Sequence, residues 1–221
     1  LDFKSSKADT LKFPCEGSTD FDGTNDYIAV PNSTDFNFGN NTVDTPFSIC
    51  AWVKMDVPGD GFQIMQKGIS GADLEWEFYI GSDSKLAFYY RDEDANVTAG
   101  LYFNTALTST GWHHYAGTYD GRGGGTSSEG GNIYIDGELK SPNLLTDTDY
   151  VAMQIHTHDV WIGRVAGYYA NGKMANAGIW NRELSQEEIQ SIMRKKYNQL
   201  KGTETTSLVS WWALDDKSGG S

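Results

Sequence analysis

The sequence predicts an all-β protein in which two antiparallel sheets stack as a sandwich. Residues 47–54 alternate strictly, with Phe47, Ile49, Ala51 and Val53 on one face, which is the pattern of a strand with one buried side. Residues 111–121 and 132–137 contain two more alternating strands, and each ends in an Asp-Gly turn, as the strands of β-hairpins do. The 221 residues include 25 glycines, 12 tyrosines and 7 tryptophans, a composition that favours strands and turns over helices.

Size and charge restrict the classes of partner. A chain of 221 residues can bury one substantial core, and all-β sandwiches of this length commonly form a single domain. The net charge of −13 disfavours nucleic acid and an anionic membrane as partners. Neutral glycans, cations and basic partners remain, although an acidic surface also keeps a protein soluble without any ligand. No apolar run is long enough to span a bilayer, so we expect no membrane insertion.

Cys15 and Cys50 are the only cysteines, and the sequence leaves their state open. A disulfide requires their Cα atoms to lie within roughly 7 Å of each other, and it would indicate an oxidising exterior. Two separate thiols fit the sequence equally well.

The other strands follow from local patterns. Residues 1–20 have weak periodicity and are expected to form an irregular lead-in, and a turn and a strand follow at 21–31. Residues 121–131 are rich in Gly and Ser, which predicts a long, mobile hairpin loop. Further strands are predicted at 62–67, 76–80, 85–91, 100–103 and 160–164.

One short helix is predicted near the C-terminal end. Ser185 and Glu188 have the spacing of a capping box, and Leu184 and Ile189 have that of a hydrophobic staple. Gly202 is expected to end the helix.

Five segments of the chain carry a shared set of motifs: F-D-G-T-N-D-Y-I-A-V-P at 21–31, F-S-I-C-A-W-V-K at 47–54, W-H-H-Y-A-G-T-Y-D-G at 112–121, Y-I-D-G at 134–137 and the strand at 172–185. Together they resemble one family, the laminin-G-like jelly rolls of the concanavalin A-like lectin/glucanase superfamily.

This resemblance implies a two-sheet antiparallel jelly roll, with one short C-terminal helix, over residues 21–200. Residues 208–219 resemble the segment that usually begins such modules. We therefore expect 201–221 to be either the start of a further module or a strand that completes the sheet.

The resemblance also implies a function, because this fold mostly holds glycans or proteins and cleaves sugars only in some branches. We expect a non-catalytic recognition or adhesion module that binds a glycan or cell-surface polysaccharide. Its host would be a larger extracellular or virion-surface protein. The alternatives are a glycoside hydrolase and a purely structural or protein-binding module.

Aromatic and planar polar side chains are the groups that bind sugars, because the C–H faces of a sugar stack on rings and its hydroxyls need hydrogen-bond partners. The sequence predicts a glycan site formed by Trp76, Tyr90, Arg91 and Tyr168. Tyr79, Tyr89 and Tyr169 belong to the wider set of candidates. Since strand alternation buries every second residue, only part of this set is expected to be exposed.

Calcium is the expected cofactor, in a structural role. The acidic turn at 20–26 offers carboxylate and amide oxygens, which are the ligands that calcium prefers. The resemblance implies a site between this opening loop and the closing strand, where the family supplies an Asp and this chain has Asn176. The predicted ligands are Asp22, Asn25, Asp26 and Asn176, and an Asx-type turn without metal is the alternative.

The evidence for catalysis is weak. A glycosidase needs two carboxyl groups across the scissile bond, and the E-x-D-x-x-E strand of the superfamily's glucanases is absent. The nearest approach is Glu75 and Glu77, which point to the same face of a strand. The acidic groups at 92–94 and 147–149 are expected to be solvated loops.

The histidines are expected to be structural. His113 and His114 should face opposite sides of one strand. His156 and His158 have the i, i+2 spacing that projects both rings from one face, as in some metal sites, but no third ligand is apparent.

Overall fold

The computed structural model describes residues 14–69, 73–165 and 167–215, which form sixteen strands, one α-helix and four 3₁₀ segments. In chain order the strands are β1 (Thr19–Asp22), β2 (Ile28–Val30), β3 (Phe47–Met55), β4 (Phe62–Lys67), β5 (Trp76–Ile80), β6 (Leu86–Asp92), β7 (Val97–Tyr102), β8 (His113–Tyr119), β9 (Gly131–Ile135), β10 (Glu138–Leu139), β11 (Asn143–Leu144), β12 (Val160–Ile162), β13 (Arg164–Val165), β14 (Tyr168–Tyr169), β15 (Asn171–Trp180) and β16 (Leu208–Trp212). The helix is α1 (Gln186–Ile192), and the 3₁₀ segments are Thr34–Phe36, Gly124–Gly130, Tyr197–Gln199 and Gly202–Thr205.

Two seven-stranded antiparallel sheets stack as the sequence predicts. The first sheet has the order β1-β15-β3-β8-β9-β10, and β16 also pairs with β15. The second sheet has the order β11-β7-β6-β5-β4-β12-β2, and β13 and β14 form a separate hairpin. The all-β sandwich of the jelly-roll type is thereby confirmed. Within the described ranges, no helix has the length and apolar character needed to cross a membrane.

The core lies between the sheets and is rich in aromatic rings. Phe47, Ile49, Ala51 and Val53 of β3 are all buried, so the predicted alternation is confirmed. Phe47 stacks against Phe38 with ring centroids 4.3 Å apart. Strands β4 and β5 have the bounds predicted from the sequence.

Both ends of the described chain pair with β15. Thr19 and Asp20 belong to β1 rather than to an irregular lead-in, since they pair with Met174 and Lys173 of β15. The rest of that predicted lead-in, up to residue 13, lies outside the described residues. The tail strand β16 pairs with β15, which is the second of the two alternatives for this segment.

The two cysteines are free thiols in this structure. Burial raises the pKa of Cys50 to about 12, and burial is also the main reason that the pKa of Cys15 is raised to about 11. Both groups are therefore protonated near neutral pH.

The helix begins as predicted and ends earlier. Ser185 and Glu188 form both hydrogen bonds of the capping box, and Leu184 and Ile189 are buried. The prediction that the helix runs to Gly202 was wrong, because α1 ends at Ile192. Tertiary bonds explain the early end: the Asn176 amide donates to the Lys195 carbonyl, and two 3₁₀ segments follow.

The Gly- and Ser-rich segment at 121–131 joins the antiparallel strands β8 and β9, as predicted for a hairpin loop, but it is anchored rather than free. Ser127 and Ser128 are buried within a 3₁₀ segment that also contains exposed residues. The Asp147 carboxylate accepts hydrogen bonds from the Ser127 hydroxyl (2.9 Å) and the Ser128 N–H (2.6 Å). Asp147 and Asp92 are themselves buried, so the acidic groups that contain them are not simply solvated.

Candidate functional site

The outer face of the second sheet is built by strand alternation. Phe78 of β5 points into the core, so Glu77 and Tyr79 on either side of it point outward. Gln63 of β4 and Ala87 of β6 lie directly opposite Tyr79. Outward side chains of successive strands therefore meet in rows across this face.

Two adjoining cavities on this face form a groove that we call the tyrosine cleft. Their volumes are about 360 and 260 Å³, and both are lined by Tyr79, Gly81 and Asp83. The other lining residues are Asp60, Gln63, Glu77, Ser82, Val165 and Tyr168 in the larger cavity, and Lys85, Ala87, Tyr89 and Tyr102 in the smaller one.

Tyrosine rings dominate the walls of the cleft. Tyr79 and Tyr89 meet edge to face with centroids 5.8 Å apart, and the Lys85 ammonium lies 5.7 Å from the ring centre of Tyr102. Burial raises the pKa of Tyr89 to about 12 and raises that of Tyr79 further, so both phenols remain protonated donors at physiological pH. Tyr168 stands at the rim with 69% of its surface exposed.

Two polar groups at the base of the cleft can bond to a ligand. Glu77 is only 8% exposed, and its side chain lines the larger cavity. Burial raises its pKa to about 7, against the opposing effect of the Arg91 guanidinium. The Gln63 Oε1 atom is buried without a partner. A hydroxyl group of a bound molecule would satisfy the Gln63 Oε1 atom, because a buried polar group is costly when it is left unpaired, and a second hydroxyl would bond to the Glu77 carboxyl.

Of the four predicted glycan-binding residues, the structure places two in the core and two at the surface. Trp76 and Tyr90 are fully buried, and their polar atoms donate to the carbonyls of Phe36 (3.1 Å) and Ser127 (2.7 Å). Their rings fill the core and cannot stack on a ligand at the surface.

Arg91 and Tyr168 do reach the outside of the molecule. The Arg91 guanidinium is already bonded to Glu93, Thr98 and Asn96. Tyr168 lines the tyrosine cleft and is the one predicted residue that the structure places there.

Glu75 and Glu77 do not form a catalytic pair in the cleft. Glu75 is fully buried in an ion pair with Lys67, and its carboxylate also accepts from the His156 N–H (2.9 Å). Only Glu77 lines the cleft.

Three of the four predicted calcium ligands come together, in one tight turn. The Asp22 carboxylate accepts from the backbone N–H groups of Thr24 (2.8 Å) and Asn25 (3.2 Å), and these bonds lower its pKa. Asp26 accepts from the Asp22 N–H at 3.1 Å. These bonds are those of an Asx-type turn, which exists without metal.

Asn176 lies elsewhere. Asp22 pairs with Asn171 of β15, and Asn176 is five residues further along the same strand, a span on the order of 15 Å. That distance far exceeds a calcium–ligand bond. The four residues therefore cannot bind one ion together.

His113 and His114 face opposite sides of β8, as expected. His113 pairs with Asp136 at 2.7 Å, and this hydrogen bond raises its pKa. His114 is fully buried beside Trp52, and burial lowers its pKa to about 4.

His156 and His158 share a neighbour that the sequence did not reveal. The Asp73 carboxylate lies 2.9 Å from His158 Nε2 and 3.5 Å from His156 Nδ1. Across the described part of the chain, however, no three or more His, Cys, Asp or Glu side chains are arranged to hold a metal ion.

The sequence reasoning missed Gln63, Tyr102 and the place of Glu77 in the cleft. Each is an ordinary outward residue of its own strand, and only cross-strand pairing brings them together. Writing the outward residues of the predicted strands side by side is the one signal that could have found them.

The strand order of the two stacked antiparallel sheets defines a jelly-roll domain, and the second sheet carries an aromatic cleft. The chain belongs to the concanavalin A-like lectin/glucanase superfamily, because the laminin G family model of that superfamily matches residues 22–190. The resemblance inferred from the motifs is thereby confirmed. No curated protein sequence matches this chain.

Solved structures with the same fold are distant in sequence. A candidate carbohydrate-binding protein from Bacteroides ovatus is 17% identical with a TM-score of 0.55, and the match covers 91% of this chain and 53% of that one. The binding domain of botulinum neurotoxin serotype D is 18% identical with a TM-score of 0.54, covering 78% of this chain and 41% of that one.

A third structure is the CBM40 module of the Ruminococcus gnavus IT-sialidase bound to α2,3-sialyllactose. It is 14% identical with a TM-score of 0.52, and the match covers 80% of this chain and 97% of that one. At these identities the likeness concerns the fold. The chain spans only about half the length of the Bacteroides protein and less than half of the neurotoxin domain.

Proposed function

We propose that this chain is a non-catalytic carbohydrate-binding module and that the tyrosine cleft is its binding site. The observation that carries the proposal is the combination of tyrosine walls with two polar groups at the base, the Glu77 carboxyl and the unpartnered Gln63 Oε1. Sugars match that combination, because they present apolar C–H faces and hydroxyl groups together.

Recognition would use side chains that are already in place. Tyr79 and Tyr89 stand on paired strands of a seven-stranded sheet, so little conformational entropy is lost when a sugar ring packs against them. The ring hydroxyls would bond to Glu77, Gln63 and the phenol groups.

The relatives support this class of ligand. One is described as a candidate carbohydrate-binding protein, and the sialidase module was solved with a sialylated sugar. We propose further that the chain serves as a recognition or adhesion part of a larger extracellular or virion-surface protein.

The test is a glycan array followed by titration of the strongest neutral ligand. Tyr79→Ala and Tyr89→Ala should each weaken binding at least about tenfold, because each removes an aromatic wall. Tyr197→Ala is the matched control, since Tyr197 is exposed in a 3₁₀ segment outside the cleft. Unchanged affinity in both cleft variants would contradict the proposal, and absence of any glycan binding would favour a structural or protein-binding role.

One observation favours hydrolysis as a second candidate. A carboxyl with a pKa of about 7 in a cleft is suited to act as a general acid, and Asp60 and Asp83 line the same cavity as Glu77. Asp83, however, pairs with Lys85 at 3.1 Å and accepts from its backbone N–H. Release of reducing sugar from the bound glycan, abolished by Glu77→Gln, would establish the hydrolase.

A further inference from the structure

Arg164 is held between three aromatic rings at the edge of the second sheet. Its guanidinium carbon lies 4.0 Å from the ring centre of Trp161, 5.0 Å from that of Tyr27 and 5.7 Å from that of Tyr169. The chain turns there at Gly163, which has φ of +83° and no room for a Cβ beside the Phe21 ring. The position of the arginine is thus fixed by the backbone and by its three aromatic neighbours.

This cation has no anionic partner within the described chain. Arg91, Arg122 and Arg182 each pair with a carboxylate, whereas Arg164 forms no ion pair and donates no hydrogen bond to any described group. Its Nε atom is buried and unpaired, and the residue as a whole is partly exposed. What distinguishes Arg164 from Arg194, which is exposed, is that it is partly buried against aromatic rings in a protein of net charge −13.

Arg164 does not line the tyrosine cleft, although Tyr169 lines a neighbouring cavity that shares Asp60, Ser82 and Tyr168 with the cleft. Val165 and Tyr168 pair across the β13–β14 hairpin and line the cleft. Arg164 and Tyr169 pair at the neighbouring position, so their side chains project from the opposite face of the hairpin. Tyr27 is 42% exposed beside them and offers an open ring to a ligand.

We propose that Arg164, Trp161, Tyr27 and Tyr169 form a second subsite, which binds the carboxylate of an acidic saccharide. A guanidinium presents parallel N–H donors that match a carboxylate, and stacking on aromatic rings orients it before the ligand arrives. The C–H face of the same sugar would pack against Tyr27. The proposal rests on the proposed glycan-binding function. It concerns other residues than those of the tyrosine cleft, and a negatively charged rather than a neutral sugar.

The test compares each acidic sugar with its neutral counterpart by calorimetric titration: 3′-sialyllactose against lactose, and glucuronic acid against glucose. The wild-type protein should bind the acidic member at least about tenfold more tightly, as expected for a hydrogen-bonded charge pair. Raising the salt from 50 to 500 mM should reduce that preference and leave neutral binding unchanged.

Arg164→Gln should abolish the preference for the acidic sugar, and Arg164→Lys should retain only part of it because a lysine lacks the planar donor pair. Arg194→Gln removes the same charge from an exposed position after α1 and should leave the preference intact. Acidic sugars should also change the fluorescence of Trp161, and this change should be lost in Trp161→Phe.

Equal affinity for the two members of each pair, or a full preference in Arg164→Gln, would overturn the subsite. Neutral sugar binding that is lost in Tyr79→Ala while the acidic preference is absent would refute the subsite alone. An acidic preference that depends on Arg164, with no neutral binding, would refute the tyrosine cleft alone.

Discussion

Glu77 is a carboxyl group that folding largely removes from water, since only 8% of the residue stays exposed. Its pKa rises from 4.5 to about 7 because of burial. The folded state therefore holds the proton more tightly than the unfolded state does. The contribution of protonated Glu77 to the free energy of unfolding is fully present below about pH 4.5, and it is lost as the pH rises through about 7.

Glu77→Gln should therefore stabilise the protein in a pH-dependent way. The gain in the free energy of unfolding should reach up to about 3 kcal/mol at pH 8 and be small at pH 4, because each pKa unit corresponds to about 1.4 kcal/mol. Urea denaturation of wild type and variant at both pH values measures it. Glu129→Gln, at an exposed glutamate, is the control. Equal effects of Glu77→Gln at the two pH values would contradict the expectation.

Neighbouring aromatic residues show what alternation can and cannot predict. Tyr89 and Tyr90 had to face opposite sides of β6, and the structure places Tyr89 outward and Tyr90 in the core. Alternation predicts that the two side chains face opposite sides of the sheet. It does not predict which of them faces the core, since both side chains are equally aromatic. The side was decided by sheet-on-sheet packing, where Tyr90 stacks on Tyr119 with centroids 4.3 Å apart.

At the scale of single elements, the start of α1 is the clearest local signal. The Ser185 hydroxyl accepts from the Glu188 N–H (3.3 Å), and the Glu188 carboxylate accepts from the Ser185 N–H (3.1 Å). The Arg182 hydrogen bond is the main cause of the lowered pKa of Glu188, about 2, so this carboxylate is charged at neutral pH.

Ser185→Ala should lower the free energy of unfolding by about 1 kcal/mol, because it leaves an N–H group at the first turn unsatisfied. Equilibrium denaturation measures the change. Ser141→Ala, at an exposed serine outside any strand or helix, should have almost no effect. A loss no larger than that of the control would mean that the cap contributes little to the fold.

Elements whose ends depend on local bonds were predictable, and those that depend on distant partners were not. The capping box lies within four residues, so the sequence contains all of it. The end of α1 depends on Asn176, and the burial of Ser127 and Ser128 depends on Asp147. Those contacts join segments about twenty residues apart, which no local pattern records.

At the scale of the whole molecule, residues 23–27 connect the two sheets. They link β1 of the first sheet to β2 of the second, so a cation bound there would stabilise the turn that connects the layers. The calcium hypothesis remains a prediction with Asp22, Asn25 and Asp26 as its ligands, and without Asn176.

If calcium binds this turn, EDTA should lower the melting temperature of the protein and added calcium should restore it. Asp22→Asn combined with Asp26→Asn should remove the response to EDTA, whereas Asp35→Asn, at an exposed aspartate, should preserve it. A melting curve that EDTA leaves unchanged would contradict calcium binding.

The two-sheet architecture was predictable because each strand carries its own pattern of alternation and turn residues. The binding sites were not predictable in this way. Strand bounds such as those of β4 and β5 follow from alternation and turn residues. Neither the tyrosine cleft nor the subsite around Arg164 can be predicted until the pairing of the strands is known. Arg164, for example, meets Tyr27 across 137 positions of the chain, where no spacing rule applies.

The strands at the margins of the two sheets are short, and this bears on how the protein behaves when it is crowded. β10 and β11 have two residues each, β2 has three, β1 has four and β16 has five. Such margins present few free N–H and C=O groups on which another molecule could template a strand. Mutual repulsion between copies of net charge −13 acts in the same direction. Many copies displayed side by side should therefore remain separate, and their ligand-facing sheets should stay open.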